Sequence, residues 1–473
     1  MLRGWKFEIQ LDEQSDKAIY LQIADAIIKD IHSGRLKSGD ALPGSRNLAQ
    51  LLKVNRNTVV EALNVLLIEG WLVSKERQGT FVADTLPDFK EVQKIKPLTS
   101  NIENKEGKHY HLQIDDGSPD SKIAPIPELA RAYRQIFNQK ARWQMMGYGN
   151  KLGDLEFRKT IVQMLNHQRG MQINEQSICI TRGSQMAMYL TAQCLFKKGD
   201  YVLVENPGYK PAWKAFEHAG AKLLPVSVDK EGLKIDEVTS YLKSGKKIKA
   251  IYVTPHRQYP TTVTLSLKRR LELIGLSNKH GFTIIEDDYD NEFHFGYRPV
   301  LPLSSFTELK NYVYIGTMSK VVAPALRIGY LASNDSDLIE QVGSLRKIID
   351  VQSDSIMEQA VLQLIKDGTI KRHIKKSTNH YKVKRDFMAT VLNKYIKDKA
   401  TYTIPEGGLA FWVVPNKQVD WLQISKKLKS KGIKIITPDT YSLDETINGI
   451  RLGYGSLFEK DLEEGIIALG EVI

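Results

Sequence analysis

In the stretch GTMSKVVAPALRIGY, Lys320 sits in a turn of small and hydroxyl residues just after the apolar run VYIG, seven positions before Arg327. A lysine held at a strand end forms an imine once its surroundings lower its pKa, and a nearby arginine can grip a phosphate through paired hydrogen bonds. The pair points to a phosphorylated aldehyde as the bound reagent. In FTIIEDDYDNEF, apolar Phe282, Ile284 and Ile285 run straight into carboxylates, at the kind of strand end where ligands of open α/β sheets bind. Strand alternation sends Asp287 and Tyr289 to one side. A carboxylate there keeps a pyridine nitrogen protonated, making the ring an electron sink, and the phenol can bond the ring's 3′-oxygen. The same run offers hard oxygen ligands in Glu286, Asp287, Asp288, Asp290 and Glu292. It lacks the Gly turn and ligand spacing of a calcium loop, so no metal is expected. A third run, ITRGSQMAMYL, ends a β-like segment at Gly183-Ser184-Gln185 and opens a helix whose backbone amides attract phosphate.

A different chemistry is written at the start of the chain. Tyr20, Ile23, Ala24, Ile27, Ile28 and Ile31 recur at helical spacing, and Gly34 stops that helix. A short helix from Ser45 or Arg46 to about Lys53 should turn Leu48, Leu51 and Leu52 inward. A third, capped by Asn55, should bury Val59, Ala62, Leu63 and Leu66 and leave Arg56, Asn57, Val60, Glu61 and Asn64 pointing out. Beyond Gly70, WLVS and TFVA alternate as two strands around KERQG. Three helices and a hairpin make a winged helix-turn-helix, whose last helix enters the major groove. Arg56 suits a guanine edge and Asn57 an adenine. Arg46, Thr58, Arg77, Gln78 and Gly79 suit contacts to the DNA backbone.

Two chemistries this different need separate bodies to position them. A chain of 473 residues is long enough for more than one folding unit, and its 42% hydrophobic and 26% charged residues exclude global disorder. Two cysteines, Cys179 and Cys194, give no basis for a disulfide framework or a Cys-ligated zinc site. No apolar run reaches membrane-spanning length and MLRGWKFEIQLDEQ has no secretory core, so a cytoplasmic protein without a membrane partner is expected. The net charge of +12 makes nucleic acid a partner to test. Most of the basic excess lies later, in KRHIKKSTNHYKVKRD (371–386) and KKLKSKGIK (426–434), which read chiefly as solvated helix faces. The chain therefore divides into a winged helix over 1–84, a polar linker over 85–108 and a large α/β body over 109–473. In that body YVLVE, KAIYVTP, FTIIED, VYIG and RIGYLAS alternate with amphipathic helical stretches, which predicts a mainly parallel sheet covered on both faces.

The residues LPGSRNLAQLLKVNRNTVVEALNVLLIEGWLVSKERQGTFVA resemble the GntR-type winged helix-turn-helix throughout. The resemblance implies that Arg46, Asn55, Arg56, Asn57, Thr58 and Gly79 read a double-stranded DNA operator. Val60 departs from it, because many relatives have Arg there. From about Gln113 to the C-terminus the chain resembles the fold-type I aminotransferases dependent on pyridoxal 5'-phosphate (PLP). That resemblance implies a mainly parallel central sheet with a smaller C-terminal α+β subdomain, and it assigns roles. Lys320 is the internal aldimine lysine, Asp287 the pyridine-nitrogen partner and Tyr289 the 3′-oxygen partner. Ser184, Gln185, Thr317 and Arg327 form the phosphate cup, and Tyr209 in ENPGY stacks on the ring. Tyr148 in YGNKLG serves the neighbouring subunit's phosphate, and Arg451 in GIRLGYG holds the α-carboxylate of an amino compound. One stretch departs from the pattern: TPHRQYPTTV has His256-Arg257 where relatives carry Ser-His, and Thr262 in place of Gly. Gln258 or Tyr259 could bond the 3′-oxygen, and His256 or Arg257 could shape the substrate side. A GntR-like reader followed by such a body resembles the MocR-type subfamily of GntR regulators. This implies a homodimeric, PLP-dependent transcriptional regulator whose effector is an amino acid or other amine forming an external aldimine. The alternative is a catalytically competent PLP-dependent aminotransferase with an appended DNA-binding domain, since every residue needed for imine exchange and proton transfer is present.

Overall fold

The computed structural model describes residues 9, 11–12, 14–76, 78–87, 110–138, 143, 146–296, 300–443 and 447–473. Arg77 and most of the expected linker lie outside them. The chain divides into two compact units, Met1–Gly107 and Lys108–Ile473.

In the first unit, helix α1 (Ile19–His32) buries Ile23, Ala24, Ile27 and Ile31, the apolar stripe its sequence spacing dictates. It packs against α3 (Arg56–Ile68), which also packs against α2 (Ser45–Leu52). Helix α3 buries Val59, Ala62, Leu63 and Leu66, as expected, and is capped by Asn55, whose side chain accepts from Asn57 N. Leu51 does not turn inward as expected. It is 65% exposed while Leu48 and Ala49 are buried, because an eight-residue helix aims positions i, i+1 and i+4 at the core and leaves i+3 on its flank. Strands β1 (Leu72–Lys75) and β2 (Gly79–Val82) form the antiparallel hairpin, with Lys75 opposite Gly79. Ala41 bridges to Phe81, tying the turn before α2 to the hairpin.

The second unit opens with β3 (Leu112–Gln113), α4 (Ile126–Asn138) and α5 (Leu155–Arg169). Strand and helix then alternate through β4 (Ile178–Thr181), α6 (Ser184–Leu195), β5 (Tyr201–Asn206), α7 (Lys210–His218), β6 (Lys222–Asp229), β7 (Gly232–Leu233) and α8 (Ile235–Lys243). They continue through β8 (Ile248–Val253), α9 (Leu267–His280), β9 (Thr283–Asp288), β10 (Tyr312–Thr317) and β11 (Gly329–Ala332). Among the described residues these strands make an eight-stranded sheet in the order β4-β11-β10-β9-β8-β5-β6-β7. The run β10-β9-β8-β5-β6 is parallel, and its inner members β10, β9, β8 and β5 are buried nearly end to end, as strands covered on both faces must be. Strand β11 is antiparallel to both β10 and β4, so β4 runs the same way as the parallel core. The turns that leave the carboxyl ends of β4, β5, β8 and β9, and the turn between β10 and β11, therefore open at one edge of the sheet.

Helices α10 (Ser336–Asp350), α11 (Ser355–Lys366) and the long α12 (Thr369–Tyr395) lead into a smaller α+β part. There β12 (Ala400–Tyr402), β13 (Ala410–Pro415) and β15 (Ile450–Gly453) form an antiparallel sheet. Helices α13 (Trp421–Ser430) and α14 (Glu459–Gly470) pack beside it, and β14 (Ile433–Lys434) pairs with β3. The pairing of β3 with β14 carries the segment from Leu112 to Gly117 across this small part and delivers its end beside Arg451, whose Nε donates to Asp116 O at 2.6 Å. Cys179 and Cys194 are free thiols. Among the described residues no helix is long and apolar enough to cross a membrane.

Candidate functional site

The carboxyl edge of the sheet gathers chemistry from distant parts of the chain. Asp287 is the penultimate residue of β9, Thr317 ends β10, Tyr252 and Thr254 flank the end of β8, Tyr209 follows β5, and Ser184 opens α6 after β4. These residues line one cavity of about 260 Å³ together with Lys320, Tyr289, Arg327 and Asp116.

Alternation along β9 separates its three carboxylates. Glu286 accepts from Leu303 N, Ser304 N and Ser304 Oγ. Asp288 pairs with Arg169 and accepts from Tyr314 Oη at 2.6 Å. Asp287, one residue between them, faces the cavity, and its Oδ2 accepts from Tyr252 Oη at 2.7 Å. Its Oδ1 is buried and has no hydrogen-bond partner among the described residues. Burial, outweighing the Tyr252 hydrogen bond, pushes this carboxyl up to about 7, so the group is set to accept a proton or a cationic N–H.

Lys320 Nζ donates to Gly117 O at 2.6 Å and lies 5.4 Å from the Tyr289 ring centre. Burial lowers the amine below its ordinary value, against the opposing pull of Asp290 and Asp116, which is the direction a nucleophilic lysine needs. Tyr289 Oη donates to Arg257 O at 3.0 Å and receives Arg451 Nη2 at 3.3 Å. The Tyr209 ring stands edge-on to Tyr259 with centres 5.4 Å apart.

At the other end of the cavity the α6 N-terminus begins at Ser184 after Gly183, whose φ is +79°. A Cβ on Gly183 would meet Arg327 Nη2 at 2.8 Å, and one on Gly329 would meet Gly183 at 2.5 Å. Only bare backbone lets these strands and the guanidinium approach so closely. Thr317 Oγ1 accepts from Ser319 N at 3.1 Å, and the Ser319 hydroxyl is buried without a partner among the described residues.

Seven of the expected residues thus share the cavity: Lys320, Asp287, Tyr289, Tyr209, Ser184, Thr317 and Arg327. Arg451 lies against its wall, 2% exposed, with Nε donating to Asp116 O at 2.6 Å and Nη1 to Pro260 O at 2.9 Å. Gln185 does not line it; its Nε2 donates to Pro211 O at 3.0 Å. Tyr148 is 91% exposed and is not brought into it. The departing stretch TPHRQYPTTV is largely spent on its own fold. Gln258 is buried, donating to Pro207 O at 2.7 Å and accepting from Thr261 Oγ1 at 2.6 Å. His256 is buried beside Asp288 and Arg169, and burial holds its imidazole at about 3 and hence neutral. Arg257 is ion-paired to Asp290 and donates to Phe293 O at 3.1 Å. Neither side chain reaches the cavity, whereas Tyr259 does. Sequence reading missed Tyr252, Ser319 and Asp116. The alternation of KAIYVTP put Tyr252 and Thr254 on one face at a strand end, a signal that could have found the first.

In the winged unit Arg46, Asn55, Arg56 and Asn57 are exposed and Thr58 is half-buried. Asn55 Oδ1 accepts from Asn57 N at 2.9 Å, and Arg56 Nε donates to Ser45 Oγ at 3.4 Å. This joins the starts of α2 and α3 into one polar surface. Gly79 in the wing has φ +116° and open space around it, so the residue supplies both the turn and access for a close backbone approach.

An amine poised against a cofactor-sized polar cavity at the edge of a parallel sheet defines an aminotransferase-like body, and the first unit is a winged helix-turn-helix. Residues 112–468 match the aminotransferase class I and II family, and residues 19–82 match the bacterial regulatory proteins of the gntR family. The chain belongs to the aminotransferase class I and II family and carries a gntR-family DNA-binding domain. It is 28% identical to the uncharacterized HTH-type transcriptional regulator YdfD of Bacillus subtilis, covering 96% of each chain. It is 25% identical to the probable rhizopine catabolism regulatory protein MocR of Rhizobium meliloti, over 97% of this chain and 94% of that one. Among solved structures, the kynurenine aminotransferase of Pyrococcus horikoshii superposes with a TM-score of 0.72 at 25% identity, covering 81% of this chain and 96% of that one. The gntR domain implies DNA binding, and the aminotransferase domain implies PLP as the cofactor. A fused chain whose full-length relatives are named regulators supports a PLP-dependent transcription regulator. The residues present fit that cofactor: an unpartnered buried carboxylate oxygen for the ring nitrogen, a lysine of lowered pKa for the aldehyde, and a helix N-terminus with Arg327 and two glycines for the phosphate.

Proposed function

We propose that this protein is a cytoplasmic, homodimeric transcriptional regulator that reads an operator through its winged unit and uses its aminotransferase body as a receptor for an amine. The observation that carries the reading is the presence, in one chain, of a cavity where Lys320 and the unpartnered Asp287 Oδ1 meet and a winged unit with an exposed Asn55-Arg56-Asn57 helix start. When bound, the cofactor supplies an aldehyde that bonds covalently to amines. Lys320 would provide the protein's amine for that bond, the position for which an effector amine would compete. Asp287 would hold the ring nitrogen, Tyr289 the 3′-oxygen and Tyr209 the ring. Ser184, Thr317 and Arg327 bind the phosphate with Gln185 behind them, and Tyr148, so exposed in one subunit, reaches the phosphate of the neighbouring one. Arg451 receives the effector's carboxylate. Arg46, Asn55, Arg56, Asn57, Thr58 and Gly79 contact DNA.

Effector exchange can shift operator binding only by as much as the effector's affinity differs between the two arrangements of the dimer. The test is operator binding by the full chain, measured by fluorescence anisotropy with and without PLP and a panel of amines, in the wild type and in Lys320→Ala. Effector-dependent affinity in the wild type and none in Lys320→Ala supports the reading. Identical affinity under every condition sinks it. The lowered pKa of Lys320 also favours a second reading, a working aminotransferase with an appended DNA-binding domain, because the freed lysine is a competent general base. Sustained multiple-turnover amino transfer between amino acids and keto acids would favour the enzyme. A single exchange that stalls would favour the receptor.

A further inference from the structure

The charges around the cavity are not matched to an amine with a single ammonium group. Once the phosphate is assigned to Arg327 and the ring nitrogen to Asp287, two charged groups remain on the effector side, Asp116 and Arg451. The neighbouring Asp115 is fully occupied by the fold: Oδ1 accepts from Gly117 N and Ser118 N, at 2.7 and 2.8 Å, and Oδ2 accepts from Ser456 Oγ at 2.5 Å. Asp116 is different. Its carboxylate lines the cavity, and Oδ2 accepts from Tyr259 Oη at 2.7 Å. Burial would raise this carboxyl, but the Tyr259 hydrogen bond and the charges of Lys320 and Arg451 outweigh it and hold the group ionised.

Neither cation is a dedicated partner. Arg451 directs its guanidinium at Asp116 O, Pro260 O and Tyr289 Oη rather than at the carboxylate. Lys320 directs Nζ at Gly117 O, and its amine becomes part of the covalent bond when the cofactor is loaded. The cavity therefore presents to an arriving ligand a carboxylate to which, among the described residues, no cation is hydrogen-bonded. A half-buried charge in such a site discriminates strongly between ligands that complement it and ligands that do not.

Resting on the reading of this cavity as an amine receptor, we infer that Asp116 is a specificity-determining residue that selects effectors carrying a second ammonium group, diamines or diamino acids, over monoamines of the same length. The test loads the full chain with PLP and titrates matched pairs, L-ornithine against L-norvaline and L-lysine against L-norleucine, following the visible absorption of the cofactor and the heat of binding. The expected result is half-saturation at a concentration lower by on the order of tenfold for at least one diamino member. Asp116→Asn should remove the preference, and because the readout is a ratio within each protein, a general weakening of the site cancels. Asp116→Glu, one methylene longer, should move the preference toward the shorter L-2,4-diaminobutyrate, and it carries the test should the Asn variant not fold. An unchanged ornithine-to-norvaline ratio in Asp116→Asn, or a wild type that favours the monoamine, overturns the inference and leaves the receptor reading standing. A cofactor band that no amine perturbs overturns both.

Discussion

Replacing Asp287 with Asn should weaken cofactor binding and strengthen the cofactor-free fold, two effects of opposite sign from one substitution. The carboxylate is 4% exposed, holds one hydrogen bond from Tyr252, and leaves Oδ1 unpartnered. Without a cationic partner it is held at about 7, against 3.8 for the free group. Each pKa unit is about 1.4 kcal/mol, so the ionised group costs the cofactor-free fold up to about 4 kcal/mol, an upper bound that structural relaxation reduces. The sign follows from the raised value. Asp287 is least costly below the unfolded pKa near 3.8, its cost grows as pH rises, and the cost is complete above about 7. Cofactor-free Asp287→Asn should therefore melt higher than wild type at pH 8, with the gap closing toward pH 4. With cofactor that advantage shrinks, because the amide cannot form the charge-assisted bond to a pyridinium. That loss is about 1.5–3 kcal/mol, roughly 10- to 150-fold in Kd. Thermal melts across pH, with and without PLP, together with fluorescence titration of the cofactor, read both effects. Unchanged PLP affinity, or a stability gap that does not vary with pH, would refute the assignment of Asp287 to the ring nitrogen.

Lys320→Ala should still bind PLP through the phosphate contacts but lose the visible absorption of a covalently held cofactor; a spectrum identical to wild type would mean that another amine carries the bond. Arg56→Ala should cost about 1–3 kcal/mol of operator affinity and relax preference at one base pair. Selection experiments on randomised operators check this, and a uniform loss across all sequences would instead make Arg56 a phosphate contact. Thr262→Gly should raise the melting temperature, because Thr262 is a β-branched residue at φ +64° and such backbone costs about 1–3 kcal/mol, only part of which glycine's greater unfolded-state entropy takes back. A lower melting temperature would show that the Thr262 side chain contributes more than its backbone costs.

What could be read from the sequence is what local periodicity controls. The helix α3 cap and stripe follow from 3.6-residue spacing around Asn55, and the shared face of Asp287 and Tyr289 follows from alternation at the end of β9. The expected residues that share the cavity were legible for the same reason, since each lies within a few positions of a strand end. What was not legible is contact made across the chain. Tyr252 reaches Asp287 only because β8 and β9 pair in a register that sets Tyr252 beside Ile285. Asp116 meets Tyr259 across 143 positions, through a segment held in place by the pairing of β3 with β14. Direction was equally hidden in TPHRQYPTTV, where nothing local distinguishes a histidine aimed at a ligand from one aimed at Asp288. The outcome there is decided by Arg169 at the end of α5, which pairs with Asp288 and draws His256 into a closed network away from the cavity. The consequence is functional. The residues proposed to bind the cofactor lie close to strand ends, whereas the groups proposed to choose its amine partner, Asp116 with Tyr259 and Arg451, are assembled by long-range packing, so on this reading effector choice can change while the cofactor site and the fold stay as they are.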